Sequence, residues 1–121
     1  MQIQDILKDT NYKLTQFKTE YINELNNSIE VKEQKNGPAP YVVCKVRNKS
    51  IKLTPEEIIR QLFLLTLHHE YEYSYSRMQI EYTVHFGRET KRADIVIMDK
   101  IQPTVPYIVT RGAKIGSIKD C

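Results

Sequence analysis

The chain has 121 residues, which fits one small domain with a modest core. Hydrophobic residues make up 40 % and charged residues 27 %, both ordinary for a soluble folded protein and against a disordered or fibrous one. A net charge of +3 and a pI near 8.8 allow a nucleic-acid partner, but only clustered charge would specify one. No apolar run reaches the roughly 18 residues of a membrane span. Cys44 and Cys121 have no metal or redox spacing, and MQIQDILKD lacks the basic and apolar regions of a secretion signal. The expectation is a cytoplasmic protein with no membrane contact.

Leu14, Phe17, Tyr21 and Leu25 recur at helical spacing, so an amphipathic helix is predicted over Lys13 to Asn27. Gln34 to Pro40, with its glycine and two prolines, reads as a loop. Tyr41 to Val46 reads as a short strand that turns at Asn48-Lys49 and returns over Ile51 to Leu53. Thr54-Pro55-Glu56-Glu57 is a helix start: Thr54 suits the cap, Pro55 the first helical position, and Glu57 the acid of a capping box. The helix continues to about His69 with a wide apolar face, which marks it as the core helix. Tyr71 to Ser76 is a tyrosine- and serine-rich connection whose tyrosines are expected to pack rather than stack on bases.

Met78 to Phe86 alternates, with Ile80, Tyr82, Val84 and Phe86 on one side and Gln79, Glu81, Thr83 and His85 on the other. Gly87 to Lys91 reads as a polar hairpin loop, Ala93 to Met98 as a denser apolar strand, Gln102 to Pro106 as a turn, and Tyr107 to Val109 as a third strand. From Arg111 no period is legible.

Asp94 stands in an otherwise apolar strand, Glu81 on the strand beside it, and Glu57 at the start of the core helix. Three such acids suit magnesium, which takes hard oxygen ligands and activates water for phosphodiester hydrolysis. Each also has an ordinary reading: a turn or salt-bridge residue for Asp94, a solvated face for Glu81, a cap for Glu57. Arg88, Lys91 and Arg92 crowd one hairpin, where they serve either as a solvated turn or as phosphate contacts. His68 and His69 are adjacent, about 100° apart on a helix, so they form no chelate. His85 is expected to be structural or solvated.

The segments KLTPEEIIRQLFL, IEYTVHFGRETKRADIVIMDK and PTVPYIV follow one another in this order. Together they resemble the N-terminal nuclease domain of type I restriction enzyme R subunits. The resemblance runs from about Tyr41 to Val109 and rests on P-E-E-x-x-R-Q-x-F, G-R-x-x-K-R-A-D-I-V-I and P-Y-I-V. It implies an α/β fold with a restriction-endonuclease-like core of the PD-(D/E)xK type. In that core a helix packs on a three-stranded antiparallel meander, preceded by an N-terminal helix and small hairpin. Residues 1–40 would be a helical extension and loop, and residues 41–121 the core of one compact domain. The implied activity is Mg2+-dependent cleavage of duplex DNA. By position, Asp94 matches the family's metal-binding aspartate, Glu57 the acid of its first core helix, Arg60 and Gln61 its helical signature, and Arg88, Lys91 and Arg92 its basic loop. Glu81, which the resemblance does not itself assign, is expected to join Asp94 as a metal ligand and, with Glu57, to assist catalysis from the strand alongside. Implied partners are duplex DNA and other restriction-modification subunits.

After P-Y-I-V the family has Glu-x-Lys and then a further helix. Here Thr110 takes the glutamate position and Gly112 the lysine position, so the pattern reads as truncated or frame-disrupted after that point. The rival expectation is a catalytically inactive DNA-binding or assembly module, or a remnant that dimerises over an exposed sheet edge.

Overall fold

A threonine followed by a proline forms the best-defined helix start in the chain. In the computed structural model Thr54 has φ −83° and ψ 166°, and its hydroxyl accepts from the Glu57 N–H at 3.3 Å. The structure describes the backbone of residues 1–86, 88–101, 106–111 and 114–117, and the side chains of 1–81, 88 and 94–101. It divides into two compact units, Met1–Tyr71 and Glu72–Cys121.

In the first unit, helices α1 (Ile3–Ile6), α2 (Thr19–Asn27) and α3 (Pro55–His69) accompany strands β1 (Glu30–Gln34), β2 (Gly37–Cys44) and β3 (Lys49–Lys52). The wide apolar face of α3 is buried as expected, with Ile58 and Leu62 fully enclosed. Helix α2 lies against it. Phe17 meets Phe63 edge to face at 5.1 Å, Tyr21 stacks on His69 at 5.4 Å, and Lys18 pairs with Glu70 at 2.7 Å. His69 Nε2 also reaches Glu24 at 3.2 Å. Helix α1 is tied to the end of α2, where Asn26 accepts from the Ile3 N–H at 2.8 Å.

The predicted helix over Lys13 to Asn27 starts later, at Thr19. Leu14 to Phe17 form a separate turn closed by the Phe17 N–H on the Leu14 carbonyl. The apolar period is real, but Phe17 is buried by packing on Phe63, which does not require a continuous helix.

The predicted loop over Gln34 to Pro40 is also corrected. Gln34 pairs with Gly37 (φ 111°), and Gly37 to Pro40 belong to β2, the middle strand of β1-β2-β3. Two prolines fit because of where their nitrogens point. The Pro40 carbonyl accepts from the Leu53 N–H, so Pro40, and Pro38 two residues earlier, turn their polar edge away from β1. The β3 ladder covers only Tyr41 to Cys44, so no ladder donor is lost on that side. The predicted hairpin into β3 is present, with Asn48 at φ 56° in its turn.

In the second unit a short 3-10 turn (Tyr75–Arg77) leads into strands β4 (Met78–Phe86), β5 (Glu89–Met98), β6 (Pro106–Arg111) and β7 (Lys114–Ser117). All are antiparallel neighbours in sequence order. The Arg77 guanidinium donates to the Met98 carbonyl at 3.0 Å and lies over the Tyr73 ring. Strand β4 matches its prediction. Strand β5 begins earlier than predicted, because Phe86 already pairs with Glu89, and Lys91 and Arg92 are strand residues rather than loop. The meander has four strands among the described residues, not three: Lys114 to Ser117 pair with β6. That segment is too short to show a period, and pairing along β6 supplies its order. The predicted turn at Gln102 to Pro106 lies outside the described residues except for Pro106, which opens β6.

The mixed α/β class is thus observed, with two antiparallel sheets and helices. No described helix is long and apolar enough to cross a membrane.

Truncating Leu62 to alanine should lower stability by about 2–5 kcal/mol, and Thr54→Ala by about 1 kcal/mol, in denaturant unfolding. Alkaline behaviour gives a second check. Glu70, by hydrogen bond and charge, holds the Lys18 amine protonated above its usual range. Burial pushes the Tyr21 phenol up, with Glu70 adding to it. Both folded-state values exceed the unfolded ones, so their stabilisation is intact below about pH 10 and fades as pH rises past it. The thermal midpoint should fall above that pH, and less steeply in Tyr21→Phe.

Candidate metal and nucleic acid site

Strand β5 sits between β4 and β6, and its residues Ile95, Val96 and Ile97 have a paired neighbour on each side. Ile95, Val96, Ile97 and Met98 are all buried, which anchors the strand. Asp94, just before this run, is half-buried.

Register brings Glu81 to Asp94. Ile80 pairs with Ile95 and Tyr82 with Ala93, so Glu81 and Asp94 occupy corresponding register positions on neighbouring strands, at the one step where the ladder is interrupted. The regular alternation expected for β4 breaks at this residue. Glu81 is exposed and has φ 57°, the left-handed region, although no residue is inserted. A non-glycine residue held there costs roughly 1–2 kcal/mol. The strained residue of the sheet is therefore one of the two acids.

On the other flank Ile95 pairs with Thr110, which puts Thr110 one register step from Asp94 on the adjacent strand. Thr110 carries no charge, and Gly112 lies outside the described residues. Among the described residues no group of three or more His, Cys, Asp or Glu is gathered to hold a metal ion.

Arg88 is exposed in the turn between β4 and β5, while Lys91 pairs with Val84 and Arg92 with Thr83. At about 3.3 Å per residue, Arg88 is roughly 20 Å along the strand from Asp94, and Arg92 about 7 Å.

Glu57 belongs to the first unit and is committed there. Its Oε1 accepts from Arg47 at 3.2 Å and from Arg60 at 3.0 Å, and its Oε2 from Gln61 at 3.0 Å. The carboxylate is 6 % exposed. The second half of the expected capping box does not form: the Thr54 N–H donates to the Lys52 carbonyl, and the guanidiniums take the acid. Charge-assisted bonds outweigh a backbone cap. Arg60 and Gln61, three and four residues on, were legible partners on one helix face. Arg47, on the β2–β3 turn, carried no sequence signal.

The family model for the type I restriction enzyme R protein N terminus matches residues 55–119, more than half of the chain. The chain belongs to this family. The matched stretch contains α3 and the whole β4 to β7 sheet, and so includes Glu57, Glu81, Asp94 and the Arg88 to Arg92 segment, but not Arg47. No curated protein and no solved structure matches the chain.

Removing the Glu57 carboxylate leaves two guanidiniums facing each other. Losing one partner of a fully buried pair costs about 3–5 kcal/mol. Arg47 and Arg60 keep 19 % and 16 % exposure, so water offsets part of the loss. Glu57→Ala should lower unfolding stability by about 2–3 kcal/mol. A denaturant midpoint equal to wild type would return Glu57 to a chemical role.

Proposed function

We propose that the chain is the nuclease-type domain of a restriction system, of the PD-(D/E)xK class, and acts on duplex DNA with a divalent metal ion in the cytoplasm. The observation that carries this reading is the family match over residues 55–119, within which Asp94 on β5 and Glu81 on β4 take corresponding register positions on neighbouring strands. Two hard oxygen donors fit magnesium, which commonly takes one or two carboxylates and completes its shell with water and phosphate. Asp94 and Glu81 would hold the ion. When bound, it polarises a phosphodiester and makes a coordinated water more acidic.

The remaining residues act on the DNA or not at all. Arg88, Lys91 and Arg92 contact successive phosphates and set the duplex along β5 without reading its sequence. Thr110 can donate or accept a hydrogen bond but supplies no third carboxylate, and position 112 supplies no ammonium to offset charge developing on the phosphate. This favours a second reading, in which the domain binds metal and DNA and cleaves weakly or not at all, serving assembly with other restriction-modification subunits.

Calorimetric titration of Mn2+ into wild type and Asp94→Ala tests the site. Binding in wild type and none in the variant is expected; identical heats would end the metal-site reading. A plasmid nicking assay in Mg2+ then separates the two roles. Slow nicking abolished by Asp94→Ala and raised by Thr110→Glu with Gly112→Lys supports a weakened nuclease. Salt-dependent DNA binding with no nicking in either protein supports the binding module.

A further inference from the structure

Charge in this chain is unevenly placed. Residues 34–55 contain Lys35, Lys45, Arg47, Lys49 and Lys52 and no acid, whereas the whole chain is only +3, so the rest is net negative. This stretch is the β2–β3 hairpin with its flanks, and nearly all of it precedes the family-matched residues. Lys45, Lys49 and Lys52 are exposed. Tyr41 pairs with Lys52 and Val43 with Ser50 on one side of the sheet. On that side the Lys32 amine donates to the Ser50 hydroxyl at 2.8 Å and sits 4.8 Å over the Tyr41 ring. Val43 between them is 51 % exposed. Glu30, opposite Tyr41, closes the patch at the β1 edge.

The hairpin is also held still. Arg47 in its turn is bonded to buried Glu57 of α3, and the Asn48 N–H donates to the Cys44 carbonyl at 2.7 Å. A fixed hairpin with Lys32 and Lys52 beside an aromatic ring and an exposed aliphatic side chain, and with exposed Lys45 and Lys49 at its turn end, suits the sugar–phosphate backbone, whose contacts are ionic and apolar rather than base-specific. We infer that the β2–β3 hairpin face is a second contact surface for the phosphate backbone of duplex DNA, separate from the β4–β5 hairpin. This rests on the DNA-binding reading above.

The test is fluorescence anisotropy of a labelled duplex with the full chain across a salt series. Each phosphate contact adds about 0.9 to the slope of log affinity against log salt. The variant Lys45→Gln, Lys49→Gln, Lys52→Gln should flatten the slope by roughly 2.7, while the matching three Lys→Arg changes should retain it, with both melting like wild type. If the glutamine variant keeps the wild-type slope while Arg88→Gln lowers it, this surface is overturned and the DNA-binding reading stands. If wild type binds no duplex at low salt, that reading fails, and this inference with it. Lysine-dependent binding to phosphatidylserine vesicles without duplex binding would reassign the face to a membrane surface and overturn the inference.

Discussion

The antiparallel register of β5 against β4 and β6 is the constraint on which the candidate site depends. It sets Glu81 and Asp94 at corresponding positions on neighbouring strands and Thr110 beside Ile95. A slip of one residue would send every side chain of β5 to the other face and separate the acids. Four consecutive buried residues, Ile95 to Met98, resist such a slip, because no register exposes them without loss of burial. The strain at Glu81 is tolerated because the ladder is regular on both sides of it. A single unfavourable residue is then outweighed by the strand that contains it.

A different constraint orders the first unit. The Glu57 carboxylate joins the start of α3 to the β2–β3 turn through Arg47, and to its own helix through Arg60 and Gln61. A buried acid is tolerable only with such partners. The consequence extends outward: the turn it fixes carries the lysines of the basic hairpin face. An acid that resembles a catalytic residue by sequence thus acts, in this unit, through its counter-ions.

Much of the fold was legible locally. The Thr54-Pro55 start, the apolar face of α3, the extent of β4 and the hairpin into β3 each follow from a short-range rule and were observed. The errors share a cause. Phe17 was assigned to a helix because its spacing fitted, Pro38 and Pro40 to a loop because they break ladders, and Lys91 and Arg92 to a loop because they are polar. In each case the decisive fact was a partner distant in sequence: Phe63, Leu53 and the Thr83-Val84 segment. Strand β7 was missed for the same reason, since its order comes from β6.

The sequence by itself determined the family, through motifs whose residues and spacing survive in one chain. That is a property of residue identity. Only the tertiary structure decided that the strained residue of β4 is Glu81, that Glu57 is occupied by Arg47, and that Lys45, Lys49 and Lys52 lie exposed on one hairpin. Hydrogen-bond register and buried charge pairing join positions that no local period connects, and both are satisfied only when the chain has folded.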